Sequence, residues 1–223
     1  MKKTRKILLM AACAVLLVCI SVGATVAYLT STDQVVNTFT VGKVAIKLDE
    51  AKVDEDGKAV IPVERVKANS YKLMPGHEYT KDPTVTVLKG SELAYIKMTV
   101  TFSKANELDA IFAPGGATLT DIFNGYDSTN WIAKGNTKDA TANTRTYEFW
   151  YKEAVGAPDA DVPLDALFDS ITVPGTITNA QLDTIADMTI TVNAYAIQKD
   201  GFASPDAAFG AGFPTPSPAP VEP

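Results

Sequence analysis

The residues that come closest to a catalytic motif are His77 and Glu78. A zinc peptidase helix needs His-Glu-x-x-His, because two imidazoles one turn apart then bind the metal from one face. Here Lys81 occupies the second histidine position, and His77 is the only histidine of the chain. The stretch also follows Pro75-Gly76, which favours a turn. We therefore predict a surface-loop histidine, with no metal ligand and no catalytic residue in this stretch.

Two groups of carboxylates have the chemistry to bind calcium or to transfer protons. The groups are Asp54, Glu55 and Asp56, and Asp159, Asp161 and Asp165. Neither has the spacing of a calcium-binding loop, and both lie among turn-forming residues. The serines do not form the Gly-x-Ser-x-Gly pattern of a nucleophile elbow. These patterns favour solvated loops, no cofactor and no enzymatic activity.

Aromatic residues suggest a third kind of site, one that binds carbohydrate. Trp131, Trp150 and the alternating stretch 147–151 are the candidates. Aromatic residues that alternate along a strand more often pack in the core on one face and against neighbouring strands on the other. We favour the core interpretation.

The N-terminal segment predicts export. Four basic residues lie within positions 1–6, residues 7–22 are apolar, and small residues follow, as in a secretory signal. We predict cleavage after Ala27, with Thr25 and Ala27 as the small pair. Residues 7–27 are almost long enough to cross a bilayer, so an uncleaved anchor is the alternative.

Cleavage would remove both cysteines, Cys13 and Cys19, and with them any disulfide. It would also remove four basic residues and no acidic one, changing the net charge from −6 to −10. Nucleic acids require clustered Lys and Arg. An acidic protein of this composition is therefore expected not to bind nucleic acid.

Apolar residues recur at every second position in most of the chain, which predicts about seven or eight strands. The candidate strands are residues 39–48, 60–66, 84–88, 94–102, 147–151, 171–173 and 188–197. Helices are predicted over residues 105–112 and 178–187, the second capped by Asn179, and a helical turn is predicted to begin at Ser204. The fold class is therefore all-β, a β-sandwich with a few short helices.

The expected domain organisation has four parts. Residues 1–27 form the signal peptide and residues 28–37 a strand-competent segment. Residues 38–203 form the β-sandwich, and residues 204–223 contain the helical turn and a Pro-rich tail. The prolines of this tail favour an extended, mobile chain.

Several segments, in order along about residues 1–203, together resemble the TasA/camelysin family of exported proteins from Gram-positive bacteria. The matching segments are 23–30, 37–42, 74–76, 80–83, 93–97, 167–169 and 194–202. The resemblance implies a jelly-roll-like β-sandwich, a signal peptidase of the SipW type and a role in the extracellular matrix of biofilms. Some camelysin relatives carry a metallopeptidase label, which Lys81 does not support here.

In TasA-like proteins the segment freed by cleavage can complete the sheet of the next subunit by strand addition. The corresponding residues here are Tyr28, Leu29, Thr30, Thr32, Val35 and Val36. We therefore predict a secreted protein that forms head-to-tail filaments, alone or with other matrix proteins or polysaccharide. The alternatives are a monomeric surface adhesin, or an accessory subunit that anchors a fibre made by another protein. A metallopeptidase is less consistent with the sequence.

Overall fold

The structure, a computed structural model, describes residues 3–6, 10, 12–14, 42–112 and 123–211. The chain divides into two units, Met1–Val41 and Gly42–Pro223. In the first, residues 3–6 and 12–14 are helical. None of the helices in these described ranges is long and apolar enough to cross a membrane. The predicted cleavage site, residues 28–37 and the tail from residue 212 lie outside the described residues.

The described part of the second unit is mostly β-strand, and its strands pair antiparallel. The strands are β1 Ile46–Ala51, β2 Arg65–Val66, β3 Glu78–Thr80, β4 Thr84–Val87, β5 Ser91–Ser103, β6 Trp131–Asp139, β7 Thr144–Tyr151, β8 Val155–Ala157, β9 Val162–Pro163, β10 Ser170–Thr172 and β11 Ile190–Gln198. The helices are α1 Ala105–Phe112, α2 Asn179–Thr184 and α3 Pro205–Gly210. The predicted all-β class is confirmed.

The strands form two main sheets. One has the order β2-β1-β4-β9 and the other β11-β5-β7-β6, with β8 also paired to β5. Strands β10 and β3 form a separate two-stranded sheet. Val85 and Val87 of the first sheet share one buried cluster with Ile96, Met98 and other residues of the second. The hydrophobic core therefore lies between the two main sheets.

Strand β5 follows the predicted alternation. Its inward side chains are Ala94, Ile96, Met98, Val100 and Phe102, all of them buried. Tyr95 is on the opposite face but is buried as well, because α3 covers that face. Phe209 of α3 packs on Trp150, with ring centroids 5.1 Å apart. The helix predicted to begin at Ser204 thus closes the outer side of the five-stranded sheet.

Several sequence expectations differ in detail from the structure. The strand expected over residues 60–66 is reduced to Arg65–Val66. The cap of α2 is Thr178 and not Asn179: the Thr178 side chain accepts from the Gln181 backbone N–H, and the Gln181 side chain reaches back to Thr178. This reciprocal capping box satisfies donors at both residues. Strands β3, β6, β8 and β9 were not predicted, and the strand expected over residues 39–48 is observed at Ile46–Ala51.

Candidate functional site

The structure separates the residues of the incomplete peptidase motif. His77 is exposed in the turn before β3, whereas Lys81 is buried just after this strand. Residues four positions apart lie one turn from each other on a helix, but they are much farther apart along a strand. The described ranges contain no group of three His, Cys, Asp or Glu residues that could hold a metal ion.

Each of the two carboxylate groups contains a member with a structural partner. Asp54 Oδ1 accepts from the backbone N–H groups of Asp56 and Lys58, at 3.0 and 2.9 Å, and so closes a turn. Asp161 Oδ1 accepts from the Lys89 backbone N–H at 2.8 Å, and so connects the β8–β9 loop to the β4–β5 loop. These contacts give Asp54 and Asp161 structural roles.

The aromatic candidates for carbohydrate binding belong to the core. Trp131 is 1% exposed and Trp150 8% exposed, so neither offers a face on which a sugar could stack. Both indole N–H groups are satisfied within the protein, by Asp165 O at 3.1 Å and by Glu148 Oε1 at 2.7 Å. The core interpretation is confirmed for these residues.

The most distinctive feature of the described surface is the outer edge of β11. Strand β11 pairs with β5 without interruption over nine residues, and no described strand pairs with its other side. Its sequence, Ile190–Gln198, contains no charged residue and no proline. An edge of this kind presents a row of backbone donors and acceptors that another strand can pair with.

The pairing with β5 identifies which backbone groups are available. The N–H of Ser103 donates to Thr189 O, and the N–H of Lys199 donates to Leu93 O. Bonded and non-bonded pairs alternate in an antiparallel ladder, so odd-numbered residues of β11 bond to β5. Even-numbered residues, including Ile190 and Val192, therefore direct their N–H and C=O groups outward.

The opposite edge of the same sheet differs. Strand β6 has a register shift between Ala133 and Gly135, and Lys134 and Lys138 lie along it. Bulges and lysines are devices that prevent edge strands from pairing with other chains. Of the two edges of this sheet, only that of β11 is regular and uncharged.

A groove of about 1030 Å³ opens beside β11. Its walls come from residues 48–50 of β1, residues 190–192 of β11, the segment 67–71, and helices α1 and α2. The apolar side chains that line it include Leu48, Leu73, Leu108, Leu182, Ile190 and Val192. This volume is at the upper end of the range for ligand sites. The groove thus combines an apolar surface with unpaired backbone.

The charged residues that are buried or half-buried along the groove are paired, whereas Lys67, Asp183 and Asp187 are exposed. Lys81 Nζ lies 2.6 Å from Glu50 Oε2, and Arg145 binds Asp109 at 2.6 Å. Burial raises the pKa of Tyr71, and the nearby Glu50 raises it further, so this phenol stays neutral. Arg145 Nε is buried and has no hydrogen-bond partner among the described residues. The groove therefore suits a neutral, mostly apolar occupant with some polar groups.

Comparisons with known proteins add no assignment. The sequence matches no protein-family model, no curated protein and no solved structure. Membership of the TasA/camelysin family therefore stays a prediction from the motifs.

Sequence reasoning placed its candidate residues in the donor segment and missed the groove. The lack of charge in 190–198 was visible, but nothing local indicates that this strand lies at the edge of a sheet. Both Glu50 and Lys81 looked like ordinary surface charges, since they are 31 positions apart. Their pairing depends on the fold.

Proposed function

We propose that this protein is an exported structural protein of the TasA/camelysin type, with a jelly-roll-like β-sandwich, which assembles head to tail in the extracellular matrix. Residues 28–37 of one copy would bind in the groove beside β11 of the next. The observation that carries the proposal is the regular, uncharged outer edge of β11 above an apolar groove. Strand addition to such an edge is an established mode of recognition.

The position of Gly42 suggests a direction for the proposed assembly. Lys43, which precedes β1, forms a bridge with Ser91, whereas the groove lies at the far end of β1, beside Glu50. If residues 28–41 continued the line of β1 backwards from Gly42, they would lead away from the groove of their own copy. A second copy placed beyond this end in the same orientation presents its groove mouth to the segment. The segment would then run antiparallel to β11.

The length of the segment permits this contact. Residues 28–41 reach at most about 46–50 Å when fully extended. The nine residues of β11 span about 30 Å. Residues 28–37 are therefore long enough to leave one copy and follow the edge of another. They contain no proline, which would remove a pairing N–H, and a single charge, Asp33.

The expected affinity is moderate. Full burial of Leu29, Val35 and Val36 would contribute about 5–8 kcal/mol. Association costs about 4–15 kcal/mol in lost translational and rotational freedom. Each backbone hydrogen bond adds about 0.5–1.5 kcal/mol. Burial of these side chains does not exceed the association cost by itself. The backbone hydrogen bonds to the outward-facing groups of β11 therefore decide whether assembly occurs.

The test compares purified residues 28–223 with residues 38–223. We expect filaments of the longer protein in electron micrographs and a monomer of the shorter one in size-exclusion chromatography. Adding a synthetic peptide of residues 28–37 in excess should cap the longer protein and shorten its filaments.

Filaments that persist in residues 38–223 would overturn the donor-segment mechanism. Residues 28–223 that remain monomeric at high concentration would instead favour the alternative, an adhesin or an accessory subunit of a fibre made by another protein. Circular dichroism of both proteins controls for folding.

A further inference from the structure

Lys81, Glu50 and Asn69 are joined by hydrogen bonds at the wall of the groove. Glu50 Oε2 binds Lys81 Nζ at 2.6 Å, and Glu50 Oε1 accepts from Asn69 Nδ2 at 3.0 Å. One carboxylate thus holds an amine and a carboxamide side by side. The Lys81 and Glu50 side chains are 7% and 9% exposed, so little water competes with these contacts.

The Asn69 carboxamide is fixed by its other atoms. Its Nδ2 also donates to Ala51 O at 2.8 Å, and its Oδ1 accepts from the Val53 backbone N–H at 3.0 Å. A donor on Oδ1 polarises the carbonyl and can stabilise negative charge on that oxygen. Aromatic packing encloses the amine, with Lys81 Nζ 5.8 Å from the centre of the Tyr71 ring.

The geometry points to an intramolecular amide bond that forms between Lys81 Nζ and Asn69 Cγ, with Glu50 as the catalytic residue. The three groups supply a nucleophile, an electrophile and a proton carrier, and the reaction needs no oxidant and no cofactor. Holding the reactants in one enclosed site replaces the encounter that such a reaction requires in solution.

The steps balance as follows. Lys81 passes a proton to the Glu50 carboxylate along their 2.6 Å hydrogen bond, and the neutral amine attacks Asn69 Cγ. The charge that develops on Oδ1 is stabilised by the Val53 N–H. Glu50 then protonates Nδ2, the Cγ–Nδ2 bond breaks, and ammonia leaves. The second proton lost by Nζ remains on Glu50, which acts first as base and then as acid.

Such a bond suits this chain. Both cysteines lie within residues 1–27, so the rest of the chain has no residue for a disulfide. Small exported domains commonly depend on covalent cross-links. An amide between Asn69 and Lys81 would join the segment after β2 to the end of β3, at the wall of the groove.

The test is the mass of purified residues 28–223. We expect the intact mass to be lower than the sequence mass by one molecule of ammonia. Trypsin should no longer cleave after Lys81, so peptides 68–72 and 73–89 should appear as one cross-linked species that tandem mass spectrometry can sequence. An intact mass equal to the sequence mass, with normal cleavage at Lys81, would overturn the inference.

Variants identify the residues involved. Glu50→Gln, Lys81→Arg and Asn69→Ala should each retain their full sequence mass. Lys52→Arg changes an exposed ion pair with Glu64 in the same region, so it should still lose ammonia. Loss of ammonia in Glu50→Gln at the wild-type rate would exclude Glu50 as the proton carrier. Because filament formation is measured separately, this result stands apart from the test of assembly.

Discussion

Arg65 Nε donates to Asp49 Oδ1 at 2.9 Å, and so connects β2 to β1. The Asp49 side chain is only 5% exposed, and it also binds Lys47 Nζ at 2.5 Å. Arg65 bonds in addition to Asp82, so one guanidinium connects β1, β2 and the segment before β4. Charge pairing, and not exposure, explains how a carboxylate occupies this position.

Acid should destabilise the protein partly through Asp49. Burial alone would raise the pKa of this carboxyl, but the bonds from Lys47 and Arg65 outweigh it and hold the pKa below its ordinary value. A lowered pKa gives stability that is present above about pH 4 and is lost as the pH falls through the folded-state value. Urea unfolding between pH 7 and pH 2 should show this decline.

Asp49→Asn should reduce the free energy of unfolding at pH 7 by about 1.5–3 kcal/mol. Its stability should also fall less steeply than that of the wild type below pH 4, because one linked proton is gone. An unchanged slope would mean that other carboxylates account for the acid sensitivity. Asp109, whose pKa is lowered by Lys138 and Arg145 despite the opposing effect of burial, is the next candidate.

A lysine on the edge of β11 should block assembly without unfolding the protein. Thr191 is exposed and lines the groove, so Thr191→Lys places a charge beside the incoming strand. Thr137→Lys makes the same change at an exposed position of β6. We expect filaments to be lost in the first variant and retained in the second, with melting temperatures close to that of the wild type. Equal assembly of both would exclude the β11 edge as the acceptor.

Restoring the second histidine should not create a zinc site. Residues four apart along a strand lie about 13 Å from each other, too far for two imidazoles on one ion. Lys81→His should therefore show no more zinc binding than the wild type in calorimetric titration. Binding of one zinc ion by this variant alone would contradict the strand geometry at β3.

Gly57 should tolerate no side chain. It has φ +76°, and a Cβ there would lie 2.2 Å from Cδ1 of the buried Tyr79. Gly201 has φ +93° with no atom within 4 Å of the same position. Gly57→Ala should lower the free energy of unfolding by about 2 kcal/mol or more, and by more than Gly201→Ala. Equal effects would mean that backbone conformation alone requires glycine at both sites.

Local patterns predicted the interior strands well. Strand β5 is covered on both faces, and its inward positions alternate without exception, so the sequence carries the signal directly. Strand β6 was missed because Gly135 and its polar neighbours face solvent, and pairing with β7 alone makes it a strand. Such pairing is decided by residues elsewhere in the chain.

The groove could not be predicted, because it depends on strand order. Strands β1 and β11 come from opposite ends of the domain, and only the folded topology brings them to one wall. The donor segment was predicted from its strand-favouring residues and from the TasA/camelysin resemblance, and it lies outside the described residues.

The bulge and lysines of β6 have a consequence for the shape of any assembly. A sheet with one protected edge can gain a strand only at the other, so this sheet offers a single acceptor to match the single N-terminal segment of each copy. Polymers built by this contact would be unbranched, and their two ends would differ. Growth could then be stopped from either end by a different reagent: a free peptide at one, and a protein lacking the N-terminal segment at the other.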